Sequence, residues 1–79
     1  MRVRLKLLAS LSQYLPPEAK GRWAEVEAAE NATPMRVAEK LGIPRKLVSL
    51  ILVNGRHSDW DVLLHEGDEV RLLPPIAGG

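Results

Sequence analysis

The sequence predicts an α+β domain, a mixed β-sheet packed on one main helix. Three observations predict it. Residues 2–7 alternate basic and apolar side chains, as a strand with one buried face does. Residues 33–42 carry helix punctuation at both ends. The apolar run 50–53 and the alternating stretch 69–73 are set off by the turn signals Asn54-Gly55 and Gly67. A single helix among such strands, in so short a chain, fits a sheet covered on one face.

Each element follows from its residues. In the first strand Val3, Leu5 and Leu7 share the core face, and Arg2, Arg4 and Lys6 share the other. Leu8 has the parity of the basic residues and is expected to point outward. Residues 10–21 read as an irregular connection, because Pro16-Pro17 blocks a helix or a central strand. Residues 22–30 alternate weakly, with Ala24, Val26 and Ala28 on one side and Glu25 and Glu27 on the other. Pairing with the first strand sets these glutamates across from its basic residues. Trp23 has the parity of the glutamates, and the sequence assigns it no place.

Thr33 suits a helix N-cap, Pro34 the first helical position and Gly42 the residue after the C-cap. Val37, Ala38 and Leu41 supply the apolar stripe. A further helical turn is expected after Pro44. Leu50 to Val53 are apolar on both faces, which fits a central strand or one that faces a partner. Residues 56–64 read as a short, polar, irregular edge strand. In the last strand Val70 and Leu72 point inward, and Glu69, Arg71 and Leu73 outward. If the first and last strands lie side by side, Leu8 and Leu73 form an apolar patch where the chain leaves the sheet.

Composition narrows the function classes. A chain of 79 residues holds one domain. It has no cysteine, hence no disulfide, thiolate metal site or cysteine nucleophile. A net charge of +1 argues against nucleic acid as the main partner. No apolar run reaches the length of a membrane span, and the N-terminus lacks the layout of a signal peptide. A cytoplasmic protein without a membrane partner is the expectation. His57 and His65 stand apart from any ligand cluster and read as surface residues. The acidic residues of 59–69 match no calcium loop and suit turns. Trp60 is expected in the core. There is no phosphate loop, so the chain is not expected to hydrolyse ATP.

The end of the chain carries the chemistry. Pro74-Pro75-Ile76-Ala77-Gly78-Gly79 follows the last strand directly. Prolines end the ladder and keep the chain extended. Residues 1–74 are therefore expected to form the domain and residues 75–79 a flexible tail. Five extended residues reach roughly 16 Å. Glycine passes through a channel too narrow for a Cβ. The reactive group at the tip is the α-carboxylate of Gly79, a poor electrophile until ATP converts it to an acyl-adenylate.

These residues resemble the β-grasp, ubiquitin-like sulfur carriers of the MoaD/ThiS family, and among them the small subunit of molybdopterin synthase. The matching stretch runs "LILVNGRHSDWDVLLHEGDEVRLLPPIAGG", supported by "RVRLKLLASLSQYLP" and "TPMRVAEKLGIP". The resemblance implies that a ubiquitin-activating-type adenylyltransferase, MoeB/ThiF-like, adenylates Gly79 using ATP. A sulfur donor then converts the adenylate to a thiocarboxylate, which supplies dithiolene sulfur in molybdenum or tungsten cofactor biosynthesis. It implies a partner like the synthase large subunit, MoaE-like, with the catalytic side chains on partners and no cofactor or metal bound by this chain. Gly78 and Gly79 carry over as the reactive end, and Pro74, Pro75, Ile76 and Ala77 as the threading segment. Leu8, Leu73 and His57 carry over as partner surface. At the first two positions phenylalanine is common in the molybdopterin branch, and at His57 an apolar residue is often found. Three alternatives stay open: a carrier for thiamin, cysteine, methionine or another sulfur metabolite, a ubiquitin-like protein modifier, and a binding module with an incidental tail.

Overall fold

Five strands form one mixed sheet in the order β2-β1-β5-β3-β4. They are β1 (Arg2–Leu7), β2 (Trp23–Glu27), β3 (Leu50–Val53), β4 (Arg56–His57) and β5 (Glu69–Leu73). One α-helix, α1 (Pro34–Lys40), follows β2. The computed structural model describes residues 1–75. The first and last strands do lie side by side, in parallel, with Lys6 opposite Arg71. The other pairings are antiparallel. This is the β-grasp arrangement, with β5 at the centre of the sheet.

The alternation read from the sequence decides the two faces. Val3, Leu5, Leu7, Val70, Leu72 and Ile51 are all buried and point to the side covered by Val37 and Ala38 of α1. Burying a Val, Leu or Ile side chain stabilises by about 1.5–3 kcal/mol, so this face holds the fold together. The helix ends are local. Thr33 Oγ1 accepts the Arg36 N–H at 3.3 Å, and Pro34 occupies the first turn. At the other end Gly42 has φ +75°, the left-handed conformation that lets the chain turn back. The Ile43 N–H then reaches the Ala38 carbonyl at 3.0 Å and the Gly42 N–H the Glu39 carbonyl at 3.1 Å. These are the two bonds of a Schellman cap. The turn expected after Pro44 is a 3-10 turn, Arg45–Leu47.

Two segments differ from the sequence reading. The start of the connection after β1 is not irregular: Ala9–Tyr14 forms a 3-10 helix. Leu8 is still extended, Ala9 turns the chain at φ +50°, and the Leu11 N–H bonds the Leu8 carbonyl at 3.0 Å. Leu11 is the buried residue of this segment, so no helical periodicity marked it. The edge strand expected over 56–64 shrinks to Arg56–His57. Tertiary contacts pull the rest off the sheet. The Leu64 N–H bonds the Ala32 carbonyl at 2.9 Å, Leu64 is buried, and the Met35 N–H bonds the Trp60 carbonyl at 3.1 Å. Trp60 packs against the core, with the Arg45 guanidinium 5.8 Å from its ring centre.

Candidate functional site

The site is the outer face of the sheet at the end where the chain leaves it. The Ser49 N–H bonds the Leu73 carbonyl at 2.8 Å, and β5 ends there. Pro74 is half-buried and Pro75 exposed, and neither has an N–H to extend the ladder. Ile76, Ala77, Gly78 and Gly79 lie outside the described residues.

Strand register lays the outer face out in rows. Nearest that exit, Leu73 stands opposite Leu50. The Leu8 N–H bonds the Leu72 carbonyl at 3.2 Å, and continuing the β1–β5 register sets Leu8 beside Leu73. All three leucines are half-buried. The next row crosses every strand: Trp23, Lys6, Arg71, Leu52 and His57. Leu8, Leu73 and His57, named from the sequence as partner surface, thus share one face. His57 is exposed on the short edge strand β4.

The third row sets one cation between two carboxylates. Arg4 lies between Glu25 and Glu69 and binds Glu69 at 2.7 Å. In the fourth, Arg2 Nε donates to Glu27 Oε1 at 2.8 Å. That hydrogen bond holds the Glu27 carboxyl below the usual carboxylate range and raises the Arg2 guanidinium. The expected pairing of β1 cations with β2 glutamates is therefore realised at Arg2, whereas Arg4 turns to β5.

Trp23 now has a place. Its ring centre lies 4.4 Å from the Arg4 guanidinium, 5.2 Å from Lys6 Nζ and 5.6 Å from the Arg71 guanidinium. A cation near an aromatic face is attracted by the ring quadrupole. The sequence reading turned Arg71 outward without naming it as part of the site, and it left Trp23, Leu50 and Leu52 unassigned to this face. The two-sided apolar character of 50–53 was the available signal for the leucines.

The turn before β5 has a structural role. Asn54, at φ +53°, donates from Nδ2 to Asp68 Oδ1 at 2.9 Å and accepts the Glu69 N–H at 3.0 Å. Asp68 also accepts the His65 N–H at 2.8 Å. His65 itself is exposed, with Nδ1 3.8 Å from Asp68 Oδ2. Among the described residues no group of three or more His, Asp or Glu is placed to hold a metal ion. Among them, too, no helix is long and apolar enough to cross a membrane.

Residues 1–77 match the family model described as Mut7-C ubiquitin. The chain belongs to this family. Solved structures agree on the fold. Haloferax volcanii SAMP1 is 22% identical, with all of both chains covered and a TM-score of 0.75. A Pyrococcus furiosus protein described as molybdopterin converting factor, subunit 1, is 26% identical over 95% of this chain and 98% of its own, with a TM-score of 0.72. A chain from the complex of subunits 1 and 2 of the Helicobacter pylori molybdopterin-converting factor is 24% identical over the whole of both chains, with a TM-score of 0.63. No curated protein matches. This Mut7-C ubiquitin domain thus shares its ubiquitin-like fold with the molybdopterin converting factor subunit 1 and SAMP1.

Proposed function

We propose that this domain is a sulfur carrier whose Gly79 carboxylate is adenylated and then converted to a thiocarboxylate. The carrying observation is the sequence Pro74-Pro75-Ile76-Ala77-Gly78-Gly79, of which Pro74 and Pro75 leave the central strand beside the row of Leu8, Leu73 and Leu50. A run that ends in two glycines and begins beside an apolar surface suits delivery of a terminal group into another protein's site. A Gly79 carboxylate oxygen attacks the α-phosphorus of ATP, and pyrophosphate leaves. A persulfide sulfur displaces AMP from the acyl-adenylate. A thiol then cleaves the acyl disulfide and frees the thiocarboxylate. ATP is bound by the activating enzyme, a MoeB/ThiF-like adenylyltransferase, and this chain holds no cofactor of its own.

The receiving pathway we favour is molybdopterin synthesis, with a MoaE-like large subunit as acceptor. Similarity to a molybdopterin converting factor subunit 1 and to a chain complexed with its subunit 2 supports this choice. The second reading is a protein modifier joined to lysines through Gly79, and the similarity to SAMP1 favours it. Both readings require a free carboxylate on Gly79, which the intact mass of the protein from its native cells reports.

The deciding experiment incubates the protein with the adenylyltransferase, ATP and a persulfide donor. Mass spectrometry of the C-terminal peptide should show one oxygen of Gly79 replaced by sulfur. Because methionine oxidation adds nearly the same mass, a thiocarboxylate-selective reagent confirms the product. Protein lacking Gly78 and Gly79 should give none. Adenylation without sulfur uptake, together with Gly-Gly remnants on lysines, would favour the modifier reading instead.

A further inference from the structure

Among the described residues two large apolar side chains are exposed, and they are neighbours: Val62 at 37% and Leu63 at 55%. Even the outward leucines of the sheet, Leu8, Leu50 and Leu73, are half-buried. A single exposed leucine needs no explanation. An adjacent pair on a restrained loop asks for one.

The restraint comes from both sides. The Met35 N–H bonds the Trp60 carbonyl at 3.1 Å, and the Leu64 N–H bonds the Ala32 carbonyl at 2.9 Å. Trp60 packs on the core and Leu64 is part of it. Asp61, Val62 and Leu63 span the interval between these anchors, and all three are exposed. The fold thus holds the pair outward, and a segment already ordered loses less freedom on binding. The loop also lies far from the chain exit. After it, Glu66 Oε1 accepts the Arg2 N–H at 2.9 Å and the Gly67 N–H bonds the Arg2 carbonyl at 2.8 Å. These contacts are at the start of β1 and β5, whereas the chain leaves the sheet at their other end.

Charge says what fits there. Residues 57–70 contain five carboxylates and neither lysine nor arginine, in a chain of net charge +1. Of the five, Glu69 binds Arg4 and Asp68 holds the Asn54 turn. Asp59, Asp61 and Glu66 are exposed and flank the apolar pair in sequence. Arg45 meets this loop at its Trp60 end. An apolar centre with a polar rim has the make-up of a protein interface. We propose that Val62 and Leu63 dock a basic amphipathic segment of a partner protein, whose apolar residues cover the pair while its Lys or Arg side chains meet Asp59, Asp61 and Glu66. A second copy of this chain suits the surface less well, because a two-fold contact would set the acidic rim against itself. The proposal does not depend on the carrier reading. A partner at this end leaves the opposite end, with the run to Gly79, open to an enzyme.

The test is an NMR titration of the isotope-labelled full chain with three synthetic peptides: an amphipathic Lys/Leu helix, a Glu/Leu helix of the same pattern, and a Lys/Ser peptide. The Lys/Leu peptide should give saturable shifts centred on the amides of residues 61–63, and the Glu/Leu peptide none. The Lys/Ser peptide should bind at least about tenfold more weakly, and so should Lys/Leu to V62S/L63S, as expected if the apolar contact supplies a kcal/mol or more. Circular dichroism melts confirm that this variant is folded. D59N/D61N changes two exposed side chains and leaves the apolar pair in place. It should weaken binding of Lys/Leu and remove most of its sensitivity to sodium chloride. Shifts that are absent, that centre elsewhere or that persist unchanged in V62S/L63S overturn the proposal, as does equal binding of the Lys/Ser peptide. Shifts at residues 61–63 that grow with protein concentration in the absence of peptide would assign the surface to a second copy and overturn it too.

Discussion

The two faces of the sheet are built by the same strands under different rules. On the inner face nearly every position is apolar and buried, and α1 covers it. The outer face carries salt bridges toward one end, a tryptophan among cations in the middle, and half-buried leucines where the chain departs. Burial is enough to account for the first face. It does not account for the second, whose leucines could be polar without opening the core. The difference separates residues that the fold requires from residues available for a partner.

Neighbours in β5 provide the sharpest contrast, because Leu72 points in and Leu73 points out. Leu72→Ala should cost about 2–5 kcal/mol through lost burial and a cavity. For a domain of this size each kcal/mol lowers Tm by about 4–8 °C, so thermal denaturation followed by circular dichroism should show a drop of about 8 °C or more. Leu73→Ser should lower Tm by only a few degrees while weakening adenylation by the adenylyltransferase. Equal losses of stability at the two positions would collapse the contrast between the faces.

Trp23→Ala should cost about 1–2 kcal/mol, from lost ring contacts and from cations left facing one another. The same change should make the fold more sensitive to low salt, since the Arg4, Lys6 and Arg71 charges lose the ring they share. Urea unfolding at two ionic strengths would measure this. A Trp23→Ala protein as stable as the wild type at both would show that the ring plays no part in holding the face.

Lys6→Glu alone should stabilise slightly, by a few tenths of a kcal/mol, by replacing a like-charge neighbour of Arg71 with an opposite one. A urea midpoint that falls instead would show that the two cations do not repel across the strands.

The smallest effect concerns acid. The hydrogen bond from Arg2 depresses the Glu27 pKa in the folded protein. A depressed carboxylate contributes stability above its unfolded pKa, and that contribution fades as pH falls through the folded value. Arg2→Gln should therefore reduce stability slightly near neutrality and converge with the wild type in strong acid. Both side chains are exposed, so the difference should be small and should shrink further in salt.

Local signals were legible because neighbouring residues in the chain satisfy them. Thr33, Pro34 and Gly42 bracket α1 with side-chain and backbone groups a few residues apart. Asn54-Gly55 makes its turn in the same way. Strand parity sorted Leu5 from Lys6 and Leu72 from Leu73. The 3-10 helix at Ala9–Tyr14 was not legible, since one buried residue, Leu11, leaves no period to read. Nor was the shortening of the edge strand, because the hydrogen bonds that draw residues 60–64 away are made with Ala32 and Met35 in another part of the chain. On the candidate face, Leu8, Leu73 and His57 were found from parity and resemblance. Trp23 was left unplaced and Arg71, though turned outward, was not tied to it, because a cation–π contact across three strands depends on a pairing that no single segment contains.

By itself the sequence determined which side chains each strand turns toward the core, where α1 starts and stops, and the glycine-ended run that follows β5. Those features depend on backbone geometry with a period of two residues, on caps and on proline, all of which act over a few residues. Only the tertiary structure decided which strands became neighbours. The parallel pairing of β1 with β5 set Lys6 against Arg71 and Leu8 beside Leu73, and brought three cations around Trp23. Register between strands distant in sequence is fixed by the packing of the whole inner face, since a slip of one residue would turn its leucines to solvent.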